Sequence, residues 1–491
     1  MAFCLKALHN ASKLEIQDLE ALAGYRQATP QEEEAQIPKP ELFSFLQLSP
    51  RNTPNTRPSL AQCATHLELL EVFFGLRLRI LQSPELDTAF GIMQDHETVY
   101  RYDSAHPQRQ PVQLADPNWD EKRRAKWPIF LSIAAARFDM WARNSNETVT
   151  ETDARSRLQH LPPLDIVMVW HAFLLNPKSY QEYCSNLNLK KLQKLPFPWP
   201  DVHNAINSRE WTFRYTLPPD ASSFYRQTFN LEPDLFQSLV ETSKLDPGSR
   251  IPQSLFRLAI KVAARLGTNA RGTHPPLNTV ELVDGSASGS TLSLLSLLRP
   301  IPCPFTITLA NNVERQASFV DKMHRQLWIR SPFVSGTLSR AISRYEKFLS
   351  LFQLYPTTMF VPTLDIDLVW HTHQLSAEVY EKGAREVTGK FINHDDTITK
   401  TTLSDGMERT AGMWRVRFGE DYEGCFCWDC EGVKDVLGEE EEGGGEKDDD
   451  HWGNVGEDLI ERVQKEVEYY RSVEVARRKG WERLPVRDSE G

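Results

Sequence analysis

Apolar positions recur in two stretches that lie 200 residues apart and share one pattern. Leu-Asp-Ile-x-x-Val-Trp-His begins at Leu164 and again at Leu364, each time after a proline, and Tyr180 and Tyr380 follow at the same spacing. Two occurrences of so long a string indicate an internal duplication. We name residues 162–175 the first Trp-His segment and residues 362–375 the second. At 100° per residue, both have apolar side chains on two opposite faces, which predicts short helices buried on both sides.

Each Trp-His helix is expected to turn a tight corner into a second helix that carries the tyrosine. Asn176-Pro177 stands at the first corner, where proline suits the first position of a new helix. Asp165 and Asp365 are expected to cap the Trp-His helices rather than to act in catalysis. A β-strand is the alternative for the second segment, because residues 365–373 also alternate in part between polar and apolar.

Further helices are predicted wherever apolar residues keep helical spacing. They cover residues 59–82, 120–142, 234–266, 311–355 with a break near Ser331-Pro332, and 455–483. Residues 97–120 are expected to form a loop with aromatic anchors. The predicted fold is mainly α: two related helical modules from an internal duplication, with minor irregular or β segments.

Changes in composition divide the chain into five segments. They are a flexible N-terminal arm at 1–58, a first helical module at 59–266, a linker at 267–291, a second helical module at 292–432, and an acidic low-complexity run with a charged helix at 433–491. The linker is rich in Gly, Ser, Thr, Asn and Pro, residues that favour turns over regular elements.

Composition and charge narrow the class of protein. The chain has 491 residues, of which 40% are hydrophobic and 12 are tryptophan, enough for sizeable cores. Much of the formal net charge of −11 lies in residues 439–450. No basic stripe with interleaved aromatics is present, so nothing directly indicates nucleic-acid binding, and no apolar run predicts a membrane span. Seven cysteines, an odd number, argue against a disulfide framework. We expect a cytoplasmic protein, with the nucleus as the alternative.

The second Trp-His segment and the residues after it carry side chains of the types that bind zinc or iron. They are Asp367, His371, His373, His394 and Asp395. On a helix, His371 and His373 point about 160° apart, so one ion cannot take both, whereas Asp367 lies on the same side as His371. On a strand the two histidines would face the same way. The alternative to a metal site is that His171 and His371 are core histidines that hydrogen-bond across the two segments.

A second candidate metal site is Cys425-x-Cys427-x-x-Cys430, the densest group of thiols in the chain. Thiolates are zinc ligands, but a structural zinc site has four ligands and this motif offers three. A fourth ligand from Cys184, Cys303, His394 or His451 would have to be brought in by the fold. The alternative is three ordinary buried thiols.

No complete catalytic constellation is visible in the sequence. It contains no Gly-rich phosphate loop, no Gly-x-Ser-x-Gly elbow and no His-Glu-x-x-His motif. Two function hypotheses follow. The first is a non-catalytic interaction or regulatory scaffold with protein partners. The second is a metal-dependent enzyme or metal-stabilised module centred on the second Trp-His segment.

The second segment resembles the signature of the glycine-rich domain-containing protein-like family, a domain of unknown function. The resemblance covers roughly residues 60–430 and includes Tyr345-Glu-Lys-Phe-Leu, Phe391-Ile-Asn-His-Asp-Asp-Thr and Arg417-Phe-Gly. The Cys-x-Cys-Trp-Asp-Cys ending resembles the fungal branch. By analogy with plant relatives, the resemblance implies a weaker third hypothesis, an RNA-associated stress regulator.

Two departures from the family pattern bear on these expectations. Only Gly443–Gly445, inside the acidic run, corresponds to the long glycine-rich tail of plant members. The first segment reads Trp170-His-Ala-Phe173 where many members have Trp-His-x-His. A role that needs the second histidine of the first segment is therefore not expected in this chain.

Overall fold

The structure, a computed structural model, describes residues 25–30, 35–44, 46, 57–103, 106–152, 155–244, 303–394, 398–442 and 451–487. The predicted linker at 267–291 and Asp395 lie outside these ranges. Within them the chain is mainly helical, as the apolar pattern predicts. No helix among the described residues combines the length and the apolar character that a membrane span needs.

The helices before residue 245 surround the first Trp-His segment. They are α1 (Leu60–Gln82), α2 (Pro84–Ala89), α3 (Trp119–Arg124), α4 (Lys126–Arg143), α5 (Ser145–Thr148), α6 (Leu164–Leu174), α7 (Pro177–Asn186), α8 (Lys190–Gln193), α9 (Trp199–Ala205), α10 (Pro219–Phe229) and α11 (Leu235–Ser243). The N-terminus of α1 is fixed by a reciprocal capping box between Ser59 and Gln62. The α6 to α7 corner falls at Asn176, and Pro177 opens the new helix as predicted.

The helices after residue 302 surround the second Trp-His segment. They are α12 (Pro304–Gln326), α13 (Val334–Leu354), α14 (Leu364–Gln374), α15 (Ala377–Thr388), α16 (Lys400–Phe418), α17 (Trp428–Glu442) and α18 (His451–Arg478). Short 3-10 helices lie at Pro40–Phe43 and Trp328–Arg330. The second of these marks the break that Ser331-Pro332 predicts. The second Trp-His segment is a helix, so the strand alternative is wrong.

Strands are short and pair only in antiparallel twos among the described residues. The pairs are β1 (Arg26–Gln27) with β8 (Pro485–Val486), β2 (Glu97–Asp103) with β3 (His106–Leu114), β4 (Val149–Thr152) with β5 (Arg155–Leu158), and β6 (Ile206–Asn207) with β7 (Arg214–Tyr215). The β2–β3 hairpin corrects the loop expected at 97–120. Where its side chains are described, at 97–100 and 111–114, none is buried, and Tyr100 is 62% exposed. The alternation of buried and exposed residues that predicts a strand is therefore missing there.

The two Trp-His helices share one continuous hydrophobic core. Helix α12, although it belongs to the second half of the sequence, packs against α1, α4 and α6 of the first. Helix α1 in turn contacts both α13 and α14. A smaller cluster around Trp428 joins α17 to α18. Of the predicted N-terminal arm, the described part pairs with β8 through Arg26 and contributes Leu42 to the main core.

The expectation that Asp165 and Asp365 cap the Trp-His helices is wrong. The residues at the cap positions are Pro163 and Thr363, and both aspartates lie one residue inside the first turn. Each accepts a hydrogen bond from an arginine of the preceding long helix: Asp165 from Arg137 at 2.6 Å and Asp365 from Arg344 at 2.7 Å. Leaving a buried carboxylate without a paired charge costs more free energy than leaving a helix N-terminus without a side-chain cap.

Candidate metal centre

Helix α14 places Asp367 and His371 on one side, one turn apart, and a carboxyl oxygen and a ring nitrogen meet there. His371 Nε2 lies 3.2 Å from Asp367 Oδ1. After α15 the chain returns and brings His394 to the same point, with its Nε2 3.2 Å from His371 Nε2. The three ligand atoms all lie within 4.8 Å of one another. Three of the five predicted ligands thus form one cluster.

The spacing of these atoms suits a shared ion. Metal–nitrogen and metal–oxygen bonds of about 2.1 Å at angles of about 90–110° put neighbouring ligand atoms about 3.0–3.4 Å apart. Asp367 Oδ1 is buried and forms no aligned hydrogen bond, although it lies near His371. A buried carboxyl oxygen without a donor is costly, and a cation would compensate it.

His394 is oriented by a backbone group of the first Trp-His segment. Its Nδ1 lies 3.1 Å from the carbonyl oxygen of Leu175. A carbonyl only accepts, so Nδ1 donates its proton, and in the neutral ring the lone pair is on Nε2, toward His371. Protein metal sites hold their histidine ligands in this way. The first segment therefore positions a candidate ligand of the second.

Burial sets the charge of this cluster. It raises the pKa of Asp367 to about 7, against a smaller lowering by Lys322. Burial also lowers the pKa of His371 well below its usual value, and the neighbouring His394 adds to this effect. The ring of His371 is held by Phe319, with centroids 4.4 Å apart. The lowered pKa keeps the His371 ring neutral near neutral pH, and a neutral imidazole has a lone pair that can bind a cation.

Of the other two predicted ligands, His373 is not part of the cluster. His373 points to the far side of α14, as the helical geometry predicts, and its Nδ1 lies 2.9 Å from the hydroxyl of Tyr345. Burial lowers the pKa of His373 to about 4. Asp395 lies outside the described residues.

Sequence reasoning missed a second pair of buried histidines beside the first Trp-His segment. His66 of α1 places its Nε2 2.9 Å from His171 Nε2, and its Nδ1 2.8 Å from the hydroxyl of Thr372 in α14. The residue equivalent to Asp367 is Val167, so this pair has no carboxylate. His66 lies in the middle of an apolar helix face, where nothing in the local pattern announces a long-range partner.

Two arginines were missed as well. Arg137 and Phe138 precede the first segment as Arg344 and Tyr345 precede the second, and in both cases the arginine pairs with the aspartate of the Trp-His helix. The Arg-aromatic dipeptide, which occurs before both Trp-His segments, was the feature of the sequence that could have identified these arginines. A similar correspondence holds at the corners, where Trp170 and Trp370 donate to Tyr180 and Tyr380.

The cysteine motif also forms a cluster. The sulfur atoms of Cys425, Cys427 and Cys430 lie within 4.8 Å of one another. None of the fourth ligands considered from the sequence joins them among the described side chains. The side chain of His451 lies outside that part of the structure.

Comparison with known proteins finds similarity to one family. Residues 302–383 match the model of the glycine-rich domain-containing protein-like family. Glycine-rich domain-containing protein 2 of Arabidopsis thaliana is 34% identical over 125 residues, 24% of this chain and 15% of that protein. Glycine-rich domain-containing protein 1 of the same plant is 33% identical over 281 residues, 56% of this chain and 26% of that protein. The matches thus span about a quarter or less of these relatives. No solved structure matches this chain.

Proposed function

We propose that this chain, a member of the glycine-rich domain-containing protein-like family, is a metal-binding protein whose centre is Asp367, His371 and His394. The observation that carries the proposal is the pair of 3.2 Å separations from His371 Nε2 to a carboxyl oxygen and to a second ring nitrogen. Two histidines and one carboxylate are the ligand set of many zinc and non-haem iron(II) centres.

Such a centre leaves coordination positions open for water or a substrate. Three protein ligands do not complete the shell of zinc or iron(II), and in catalytic sites solvent takes the remaining positions. The Asp367 side chain is 23% exposed and His394 is half-buried, so solvent reaches the edge of the cluster, while the ligand oxygen Asp367 Oδ1 itself is buried. We therefore favour metal-dependent chemistry on a bound water or small ligand over a closed structural site.

We also infer that the two Trp-His segments arose by duplication and now differ in role. The first has a valine where the second has Asp367, and its histidine pairs with His66 deep in the core. What the first segment contributes to the candidate centre is the Leu175 carbonyl that orients His394. In this proposal the first segment positions a metal ligand, and the second segment binds the metal.

Elemental analysis of purified, untagged protein by mass spectrometry tests the proposal. We expect about one zinc or iron per chain, lost in the His371→Ala/His394→Ala variant and in Asp367→Asn, which removes the charge but keeps the shape. Tyr345→Phe/His373→Phe is the matched control, because it changes the histidine on the opposite face of α14. This control should keep its metal.

Two results would reject this centre. Metal that is retained in both ligand variants would have to be bound elsewhere. No metal in the wild type, after purification without chelators and after anaerobic addition of zinc or iron(II), would leave the histidines as core residues. The function would then be the alternative, a non-catalytic scaffold with protein partners, and affinity capture would be the next experiment. The cytoplasmic location stays a prediction.

A further inference from the structure

The loop before α17 and the first turn of that helix bring together three thiols that the proposed centre at α14 does not use. The Cys425 and Cys427 sulfurs are 3.3 Å apart, and the Cys430 sulfur completes a group whose members all lie within 4.8 Å of one another. Cys427 and Cys430 are buried, and Cys425 is half-buried. The cluster therefore has one edge toward solvent and a protected interior.

The three sulfur atoms lie close enough together to bind one ion, although the 3.3 Å between the Cys425 and Cys427 sulfurs is shorter than the spacing around a bound ion. With metal–sulfur bonds of about 2.3 Å, three sulfurs around one ion stand about 4 Å apart. Among the described side chains, no histidine, aspartate, glutamate or further cysteine offers a fourth ligand atom within the same 4.8 Å group. Structural zinc almost always takes four protein ligands, whereas thiolate sulfur is a soft ligand that suits monovalent copper.

The loop that carries the sulfurs is held in place from both sides by tryptophan indoles. Trp328 donates to the carbonyl of Phe426 at 2.8 Å, and Trp428 donates to the carbonyl of Gln326 at 2.9 Å. These two bonds tie the loop to the end of α12 and to the 3-10 turn after it. A ligand set that is fixed before binding loses little conformational entropy when the ion arrives.

The surroundings favour anionic sulfur once an ion is bound. Cys427 directly precedes α17, and the backbone N–H of Cys430 in the first turn of that helix hydrogen-bonds to the Cys427 side chain, which favours negative charge on the sulfur. The ammonium of Lys434 donates to the Cys425 carbonyl at 3.0 Å. Without an ion the three thiols are crowded, and hydrogen bonding to Cys425 raises the pKa of both Cys427 and Cys430.

We propose that Cys425, Cys427 and Cys430 bind one monovalent copper ion through three sulfur atoms. Three thiols and one Cu⁺ give three metal–sulfur bonds, a centre of net charge −2 and three released protons, with no change of oxidation state. Because Trp428 belongs to the small core that joins α17 to α18, the ion would also fasten this pair of helices to the main core. This site is independent of the centre at Asp367.

The test is an anaerobic titration of the reduced full-length protein with Cu(I) in competition with a chromophoric Cu(I) chelator. We expect one tightly bound ion per chain and an X-ray absorption spectrum with three sulfur neighbours. Cys425→Ser, at the half-buried position, should weaken Cu(I) binding by at least about 100-fold, the upper range for the loss of a supporting group alone. A parallel titration with zinc should give weaker binding.

Cys303→Ser is the matched control, since Cys303 lies outside the cluster and serine is also a good residue at its helix cap. It should bind Cu(I) as the wild type does. If Cys425→Ser lost its helical circular dichroism, Cys430→Ser would replace it. The proposal is wrong if Cu(I) binds equally well without Cys425 and without Cys430, if zinc binds more tightly through the same thiols, or if the reduced wild type takes up no Cu(I).

Discussion

At the scale of single residues, each Trp-His helix packs an aromatic pair on the face opposite its first histidine, and the two pairs differ in chemistry but not in geometry. Tyr345 and His373 meet edge to face with ring centroids 5.9 Å apart at 89°. Phe138 and Phe173 meet in the first half at 5.9 Å and 90°. One pair shares a hydrogen bond and the other has none, yet the ring geometry is the same. His373 is therefore a packing residue with a hydrogen-bond partner, which explains why it has no place in the metal cluster.

This pairing predicts a non-additive pair of mutations. Tyr345→Phe or His373→Phe alone leaves one buried polar group without a partner, and each should lower the free energy of unfolding by about 1–3 kcal/mol. The double variant recreates the Phe-Phe pair of the first half and should recover most of that loss. Urea unfolding of the wild type, both single variants and the double variant measures the coupling. Additive losses would contradict this account; the exposed Tyr100→Phe serves as a control.

The sequence predicted part of this site at residue level. Helical geometry alone separated His373 from Asp367 and His371, because the angle between side chains follows from their spacing. The partners of those side chains could not be predicted. Tyr345 lies 28 positions before His373, and His66 lies 105 positions before His171, separations that carry no local signal.

At the scale of elements, one histidine of α1 connects three helices. His66 contacts His171 of α6 and Thr372 of α14, and all three side chains are buried. Burial lowers the pKa of His171 to about 3 and the pKa of His66 well below its usual value. The neutral form of both rings is thus the one that the packing of α1, α6 and α14 accommodates.

The contact between these helices should weaken in acid. In the unfolded chain a histidine has a pKa of about 6.5, so below that pH the unfolded state binds a proton that buried His171 does not. Its contribution is therefore present above pH 6.5 and is lost as pH falls toward 3, by up to about 1.4 kcal/mol per pH unit. Asp367, whose pKa burial raises to about 7, changes stability in the opposite direction over part of this range.

Comparison with a variant that lacks His171 isolates the contribution of its protonation to the free energy of unfolding. His171→Gln can keep a hydrogen bond to His66 but does not titrate, so its unfolding free energy should fall less steeply than that of the wild type between pH 6.5 and 4.5. Denaturant unfolding at a series of pH values measures both slopes. The exposed His96→Gln is the control and should follow the wild type. Equal slopes for His171→Gln and the wild type would show that the ring is protonated in the folded protein.

Elements were predicted where apolar residues face a core. The Trp-His helices, the capped start of α1 and the break after α12 all follow from local spacing and local chemistry. The β2–β3 hairpin was missed, because its pairing satisfies the backbone while the described side chains at 97–100 and 111–114 are not buried. The prediction that Asp165 and Asp365 cap helices was wrong for a related reason. Both carboxylates form ion pairs with arginines that are remote in sequence.

At the scale of the whole molecule, the two halves of the described chain interlock. Helix α12 belongs to the second half of the sequence but packs on α1 of the first. There His324 Nδ1 lies 2.8 Å from a carboxyl oxygen of Glu71, and the ring of His324 stacks on Phe74 with centroids 3.6 Å apart. At the helices that follow the Trp-His corners, Gln181 donates to Glu381 at 2.8 Å. Sequence composition suggested a division of the chain at residues 267–291, but packing between distant helices cannot be deduced from composition.

Cutting the chain between its halves should therefore not separate them. A specific protease site placed within residues 267–291 would divide the chain into a part that carries α1, α4 and α6 and a part that carries α12 and α14. Because α12 buries its apolar face against the first part, we expect the two fragments to elute together in size-exclusion chromatography and to unfold in one transition. Each fragment produced alone would expose apolar surface and should aggregate or unfold at lower temperature. Fragments that separate after cleavage and remain folded would mean that each Trp-His helix has a sufficient core of its own, and that the Leu175 carbonyl is not needed to hold His394 in place.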